Sequence, residues 1–147
     1  MKRSPQVFQQ ATASESHTGN TIGIDLGDRW SRYCVVDASG TIIEEDRVRT
    51  TADALREKLG QLASTRMVIE AGTHSPWVSR LLEELGHQVI VANPRKVRLI
   101  YESDRKNDRL DARMLARLGR VDVSLLSPIW HRRAGAQADL AVASSSC

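Results

Sequence analysis

From Thr21 onward, apolar and polar residues take turns with a period that changes along the sequence. Thr21–Gly27 (TIGIDLG) sets Ile22, Ile24 and Leu26 against Gly23, Asp25 and Gly27, the two-residue period of a β-strand with one buried face. Arg32–Ala38 (RYCVVDA) predicts a second strand, and Ser39-Gly40 a tight turn into a third over Thr41–Thr50. Strands joined so closely pair antiparallel, as a meander. Thr50, followed three residues later by Asp53, predicts an N-cap for a helix over Ala52–Leu62.

The rhythm then becomes strand, helix, strand. Arg66–Ala71 (RMVIEA) is a short apolar run of the kind buried on both faces of a sheet. Ser75-Pro76 predicts a capped helix start, Leu85 its end and Gly86 its stop. Gln88–Ala92 predicts another buried strand, and Asn93-Pro94 starts a helix to about Glu102. A polar break at Ser103–Asn107 precedes a last helix, from Asp108 to about Arg120, and Pro128 ends the regularity. Three antiparallel strands, a helix, then β-α-β and further helices describe an α/β domain: a mixed five-stranded sheet flanked by helices, the layout of the ribonuclease H-like fold.

Composition narrows the class. With 147 residues, 41% hydrophobic and 27% charged, the chain has material for one core, and aromatics at 4% leave that core to Val, Ile, Leu and Ala. No apolar run approaches the roughly 20 residues of a membrane-spanning helix. Residues 1–20 are polar, lack the apolar centre of a secretory signal and read as a disordered leader. Cys34 and Cys147 form neither a disulfide framework nor a zinc pattern, which suits a reducing cytoplasm. Net charge is +3, but it is uneven: Arg95 to Arg133 holds 11 Lys and Arg against 5 acids, and the rest 10 against 13. A basic C-terminal third points to a polyanion such as nucleic acid, or to a solvated helix face.

Four acids carry the candidate chemistry. Asp25 stands mid-strand between apolar neighbours, where an uncompensated charge is costly, and Glu70 ends the run Met67-Val68-Ile69. Asp108 and Asp111, three apart at a helix start, are expected on one face, although acids are also favoured there by the helix dipole alone. If the first strand is central with the Arg66–Ala71 strand beside it, Asp25 and Glu70 become neighbours whose repulsion raises one pKa unless a cation intervenes. Mg²⁺ takes such hard oxygen ligands. Two such ions about 4 Å apart can activate water and stabilise the leaving oxygen of a phosphodiester.

These residues sit in recognisable company. Ile22-Gly23-Ile24-Asp25-Leu26-Gly27, Val68-Ile69-Glu70-Ala71-Gly72, Val91-Ala92-Asn93-Pro94 and Lys106-Asn107-Asp108-Arg109-Leu110-Asp111-Ala112 occur in this order, the last with K-x-D-x-x-D-A spacing. Over Thr21–Arg133 the chain resembles the N-terminal, RuvC-like domain of the DEDD transposases of bacterial insertion sequences (the insertion-sequence one-ten group, with the Piv-type invertases). The resemblance places the family's acids on Asp25, Glu70, Asp108 and Asp111, as catalytic residues and as ligands of Mg²⁺ or Mn²⁺, two ions in all. Asn107 stands where Thr is common in the family. The implied activity is metal-dependent cleavage and strand transfer in DNA transposition, in the cytoplasm at the nucleoid. The implied partners are DNA, a structured guide RNA in some members, and further copies of the chain.

Family members continue through a long helical segment into a second domain with a catalytic serine. Here the likeness persists to about Gln137-Ala138-Asp139-Leu140, and Ser144-Ser145-Ser146-Cys147 reads as an Ala/Ser tail, so the chain reads as a truncated or frameshifted copy. The expected organisation is a leader over 1–20, the RuvC-like domain over 21–127 and a tail over 128–147. Lys106, Arg109, Arg113 and Arg117 recur along the acid-bearing helix, and Arg95, Lys96 and Arg98 follow Asn93-Pro94. All seven are candidate phosphate contacts, with a solvated face as the plain alternative. His74 reads as a turn residue, Trp77 and Trp130 as packing residues rather than base stackers, and Gly27 and Gly72 as backbone devices. Two other functions compete: a non-catalytic remnant that binds nucleic acid, and an actin-like sugar kinase or ATPase. The latter shares the I-G-I-D-L-G opening but needs a second Asp-Gly phosphate loop.

Overall fold

The structure, a computed structural model, describes residues 19–101 and 110–131, with the side chains of 98–101 left aside. Residues 1–18 of the expected leader and the tail beyond residue 131 lie outside the described residues, as does the expected break at Ser103–Asn107. Ten elements follow in chain order: β1 (Thr21–Asp25), β2 (Trp30–Val36), β3 (Ile42–Arg49), α1 (Ala52–Leu59), β4 (Arg66–Glu70), α2 (Ser75–Glu84), β5 (Gln88–Ala92), α3 (Pro94–Tyr101), α4 (Ala112–Val121) and a 3₁₀ turn (Val123–Leu126). The strands form one sheet in the order β3-β2-β1-β4-β5. β1, β2 and β3 pair antiparallel, whereas β4 runs parallel to both β1 and β5. The mixed five-stranded sheet and the central place of β1 are as the sequence predicts.

Alternation along the strands builds two cores. Ile22, Ile24, Tyr33, Val35, Met67, Ile69, Val89 and Val91 face one way and pack on Leu55 and Leu59 of α1 and Val78, Leu81 and Leu82 of α2. On the opposite face, Val68, Ile90 and Ala92 meet Leu115 and Leu118 of α4, Val97 of α3 and Leu126. Cys34 and Val36 meet Ala112 and Ala116 there. Helix α4 lies hard against β1 because β1 offers it a glycine. A methyl group at Gly23 would overlap the carbonyl of Ala112 and stand 2.5 Å from Ala116 N. Gly119 is the reciprocal device, since a methyl there would overlap Val68 Cγ2.

Several boundaries differ from expectation, each for a local reason. β1 stops at Asp25, not Gly27, and β2 opens two residues early at Trp30. The cap of α1 is Thr51, which accepts from Ala54 N–H at 3.2 Å; the Thr50 hydroxyl is instead buried 2.7 Å from that of Ser31. α1 ends at Leu59, three residues early. Ser75 does not cap α2, because its hydroxyl closes the preceding turn on the N–H and C=O of Gly72, both at 2.9 Å. Gly86, at φ +96°, ends that helix as predicted. Arg66 departs from an apolar run: its guanidinium donates to Gly119 O at 2.8 Å and Gln88 Oε1 at 3.0 Å, and burial lowers its pKa.

Candidate functional site

Asp25 closes β1 and Glu70 closes β4. These strands run parallel with Ile24 opposite Ile69, so the next residues, Asp25 and Glu70, sit side by side at the carboxyl end of the sheet. Ile24 and Ile69 point into the α1–α2 core, and strand alternation turns the two acids to the other face, the one α4 covers. Glu70 is buried at 7% exposure and Asp25 is half-buried.

Helix α4 brings the third acid to the same end. Its first residue, Ala112, packs over Gly23 of β1, which seats the helix N-terminus beside Asp25. Asp111 is the N-cap, with extended backbone (φ −84°, ψ 171°) and Oδ1 accepting from Met114 N–H at 2.8 Å. It is therefore not a helical residue, and the expected sharing of a helix face with Asp108 does not apply to it. The cap adds dipole stabilisation of the carboxylate. One residue back, Leu110 N–H points at Glu70 Oε2 over 3.5 Å, a long contact that ties the helix entry to the end of β4. Asp25 and Asp111 both line a cleft of about 610 Å³ with Arg32, Glu45, Arg47 and Arg113. Among the described residues, no three Asp, Glu, His or Cys side chains converge closely enough to hold an ion. Asp108 lies outside the described residues.

The candidate phosphate contacts divide. Lys106 and Arg109 lie outside the described residues, and the side chain of Arg98 is not among those described. Arg95 and Lys96 are exposed in the first turn of α3, whose backbone N–H groups donate to Asn93 Oδ1 at 3.2 and 3.4 Å. Arg117 is exposed on α4. Arg113 is not free: it grips Glu45 of β3 with two hydrogen bonds, Nε to Oε2 and Nη2 to Oε1, the latter at 2.8 Å. That grip holds the Glu45 carboxyl below its ordinary pKa.

Other side chains complete this end, some weighed from the sequence and some not. Trp77 Nε1–H donates to His74 Nδ1 at 3.0 Å, so His74 carries its hydrogen on Nε2 and donates to Asp28 Oδ1 at 3.1 Å. His74 is thus a tie between the β4–α2 and β1–β2 loops as well as a turn residue. Trp77 packs against the main core, one of the two expected settings (core or interface), whereas Trp130 is 78% exposed and takes no part in the core. Gly72 has open space where a side chain would go, so it is no steric device, whereas a methyl at Gly27 would overlap Trp30 O. Trp30, Arg32, Arg47 and Arg49 also face this end. None of these four was singled out from the sequence; Trp30 fell before a strand start set two residues too late, and the arginines lay inside expected strands whose register no local spacing shows.

Residues 22–145 match the family model for DEDD transposases of the insertion-sequence one-ten type, described as "Transposase". The chain belongs to this transposase family. The match spans more than half of the chain, and the sheet and flanking helices are those of a ribonuclease H-like domain. No curated protein matches the transposase chain. Among solved structures, it is similar to an inorganic polyphosphate/ATP-glucomannokinase from Arthrobacter sp. strain KM, with 19% identity and TM-score 0.39 over 61% of this chain and 51% of that one. It is also similar to a Ppx/GppA phosphatase from Aquifex aeolicus, with 18% identity and TM-score 0.33 over 54% of this chain and 38% of that one. The chain thus spans about half the length of the first and less of the second, and neither likeness bears on function. None of the helices among the described residues is long and apolar enough to cross a membrane.

Proposed function

We propose that this transposase domain handles DNA phosphodiesters at a divalent-metal site built from Asp25, Glu70, Asp108 and Asp111, during movement of an insertion sequence. The observation that carries the reading is the meeting of Asp25, Glu70 and the N-terminus of α4 at one end of the sheet, on one face. The carboxylates of Asp25, Glu70 and Asp111 are hard-oxygen donors of the kind that Mg²⁺ or Mn²⁺ takes rather than a softer ion, and these three described ones would have to draw closer to share an ion. Bound there, two such ions would lower the pKa of water and stabilise the departing oxygen of the phosphodiester.

The chain's own residues would orient and position. β1 and β4 fix Asp25 and Glu70 on rigid strands. Capping leaves Asp111 with lone pairs beyond the one used by Met114 N–H. Arg95, Lys96, Arg98, Lys106, Arg109 and Arg117 would hold the DNA backbone, joined by Arg113 when it releases Glu45. A guide RNA and self-association are further parts of the proposal.

Calorimetric titration with Mn²⁺ tests the reading. Binding is expected, with Asp25→Asn and Asp108→Asn each weakening it by tenfold or more. DNA binding with no metal uptake would replace it with a non-catalytic binder, and ATP binding would favour the kinase alternative.

A further inference from the structure

The cleft beside Asp25 is mixed in charge: Asp25, Asp111, Glu45 and Asp46 line it together with Arg32, Arg47 and Arg113, and Arg113 takes up Glu45. Across the sheet, Asp25 of β1 pairs with Arg32 of β2, which pairs with Arg47 of β3. Two register positions outward, and so on the same face, Trp30 pairs with Arg49. By alternation, Trp30, Arg32, Arg47 and Arg49 share the α4 face with Cys34 and Val36, yet they lie beyond the residues that α4 buries. Three arginines and a tryptophan thus form a lane that starts at Asp25 and reaches the sheet edge. Two strand spacings make it about 10 Å long.

Its arginines repel one another, and the Glu45 carboxylate beside them is taken up by Arg113. Arg32 and Arg47 stand directly opposite each other, a like-charge pair that costs stability. Among the described residues, Arg32, Arg47 and Arg49 make no ion pair. Arg47 and Arg49 instead lie over the Trp30 ring, at 4.1 and 5.1 Å from its centroid, and Trp30 remains 41% exposed. Charges on an edge strand can serve to block sheet-to-sheet association. That explanation covers β3 but not Arg32, which stands on the inner strand β2.

We infer that this lane binds the DNA backbone next to the phosphodiester held at Asp25. The inference rests on the proposed function and adds contacts on β2 and β3 to those of the basic C-terminal third, which reaches the same cleft through Arg113. Arg32 and Arg47 would each take a phosphate, and Trp30 would hold Arg47 and Arg49 in place as a positioning residue. DNA is the occupant favoured because the lane begins at the acid proposed to work on DNA.

Fluorescence anisotropy with a labelled DNA duplex, over a series of salt concentrations, tests it on the full chain. The triple variant Arg32→Gln/Arg47→Gln/Arg49→Gln is expected to weaken binding by about tenfold or more and to flatten the slope of log K against log salt by about 2. Each single variant should carry part of the loss. Trp30→Ala should weaken binding by about fivefold, and Trp30→Phe should restore most of it. Arg56→Gln on α1, whose Glu84 partner lies on the other side of the sheet, should change nothing. Unchanged affinity and slope in the triple variant, with wild-type melting behaviour, would overturn the lane alone. If the wild-type chain binds no DNA, the proposed function fails with it. If an RNA of the same sequence binds more tightly and loses more in the triple variant, the assignment to DNA fails.

Discussion

Two glycines set how closely the acid-bearing helix approaches the sheet, and their side-chain hydrogens decide it. Gly23→Ala would drive a methyl into the carbonyl of Ala112, so α4 must lift from β1; about 3 kcal/mol of stability should be lost. Gly72→Ala, with nothing within 4 Å, should stay within about 0.5 kcal/mol of wild type. Urea melts of the two variants make the comparison, and similar midpoints would contradict the close seating of α4. A second residue-level outcome concerns Arg113. Its hydrogen bonds hold the Glu45 carboxyl below the usual 4.5, the sign expected of a carboxylate that gains a cation. The pair's contribution is therefore present above that pH and lost as pH falls through the lowered midpoint, and both groups are exposed enough to keep it small. In Arg113→Gln, an NMR titration should return Glu45 to its ordinary midpoint. An unmoved midpoint would mean that Arg113 is already available to phosphate.

Among the elements, α4 serves two ends through one residue, and the two can be pulled apart. Asp111→Asn keeps a good N-cap and removes the charge, whereas Asp111→Ala removes both. The alanine variant should lose about 1 kcal/mol, while asparagine melts within a few tenths of wild type; both should lose metal affinity alike. Equal stability of the two variants would argue that the Met114 N–H bond contributes nothing. The element order, the central β1 and the placing of Asp25 beside Glu70 were legible because strand alternation and turn residues act over a few positions. Less legible were features set by distant partners. Thr50 looked like a cap, but tertiary packing drew its hydroxyl to Ser31. The Arg113 side chain looked free until β3 brought Glu45 to it. The row Asp25, Arg32, Arg47 exists only through registers across three strands, which no local spacing reports.

Taken whole, the molecule joins residues about ninety positions apart when α4 docks on β1 and β2, and Cys34 sits under that joint. Its thiol is fully buried against Ala112 and Ala116, and burial raises its pKa. In the folded chain Cys34 should therefore resist alkylation, and each labelling event should report a moment when α4 has left the sheet. A metal ion held between Asp25 on β1 and Asp111 on α4 would bind only the docked form. Labelling in a Cys147→Ser background should then slow by one plus the ratio of ion concentration to Kd, about tenfold at ten times Kd. Asp25→Asn should abolish that slowing while leaving the metal-free rate within about threefold, since its effect on docking itself is indirect. If Mg²⁺ binds yet labelling proceeds at the same rate, the ion touches only one of the two elements, and the site does not bridge sheet and helix. Such a result would leave the fold and the family intact and would move the catalytic proposal away from Asp111.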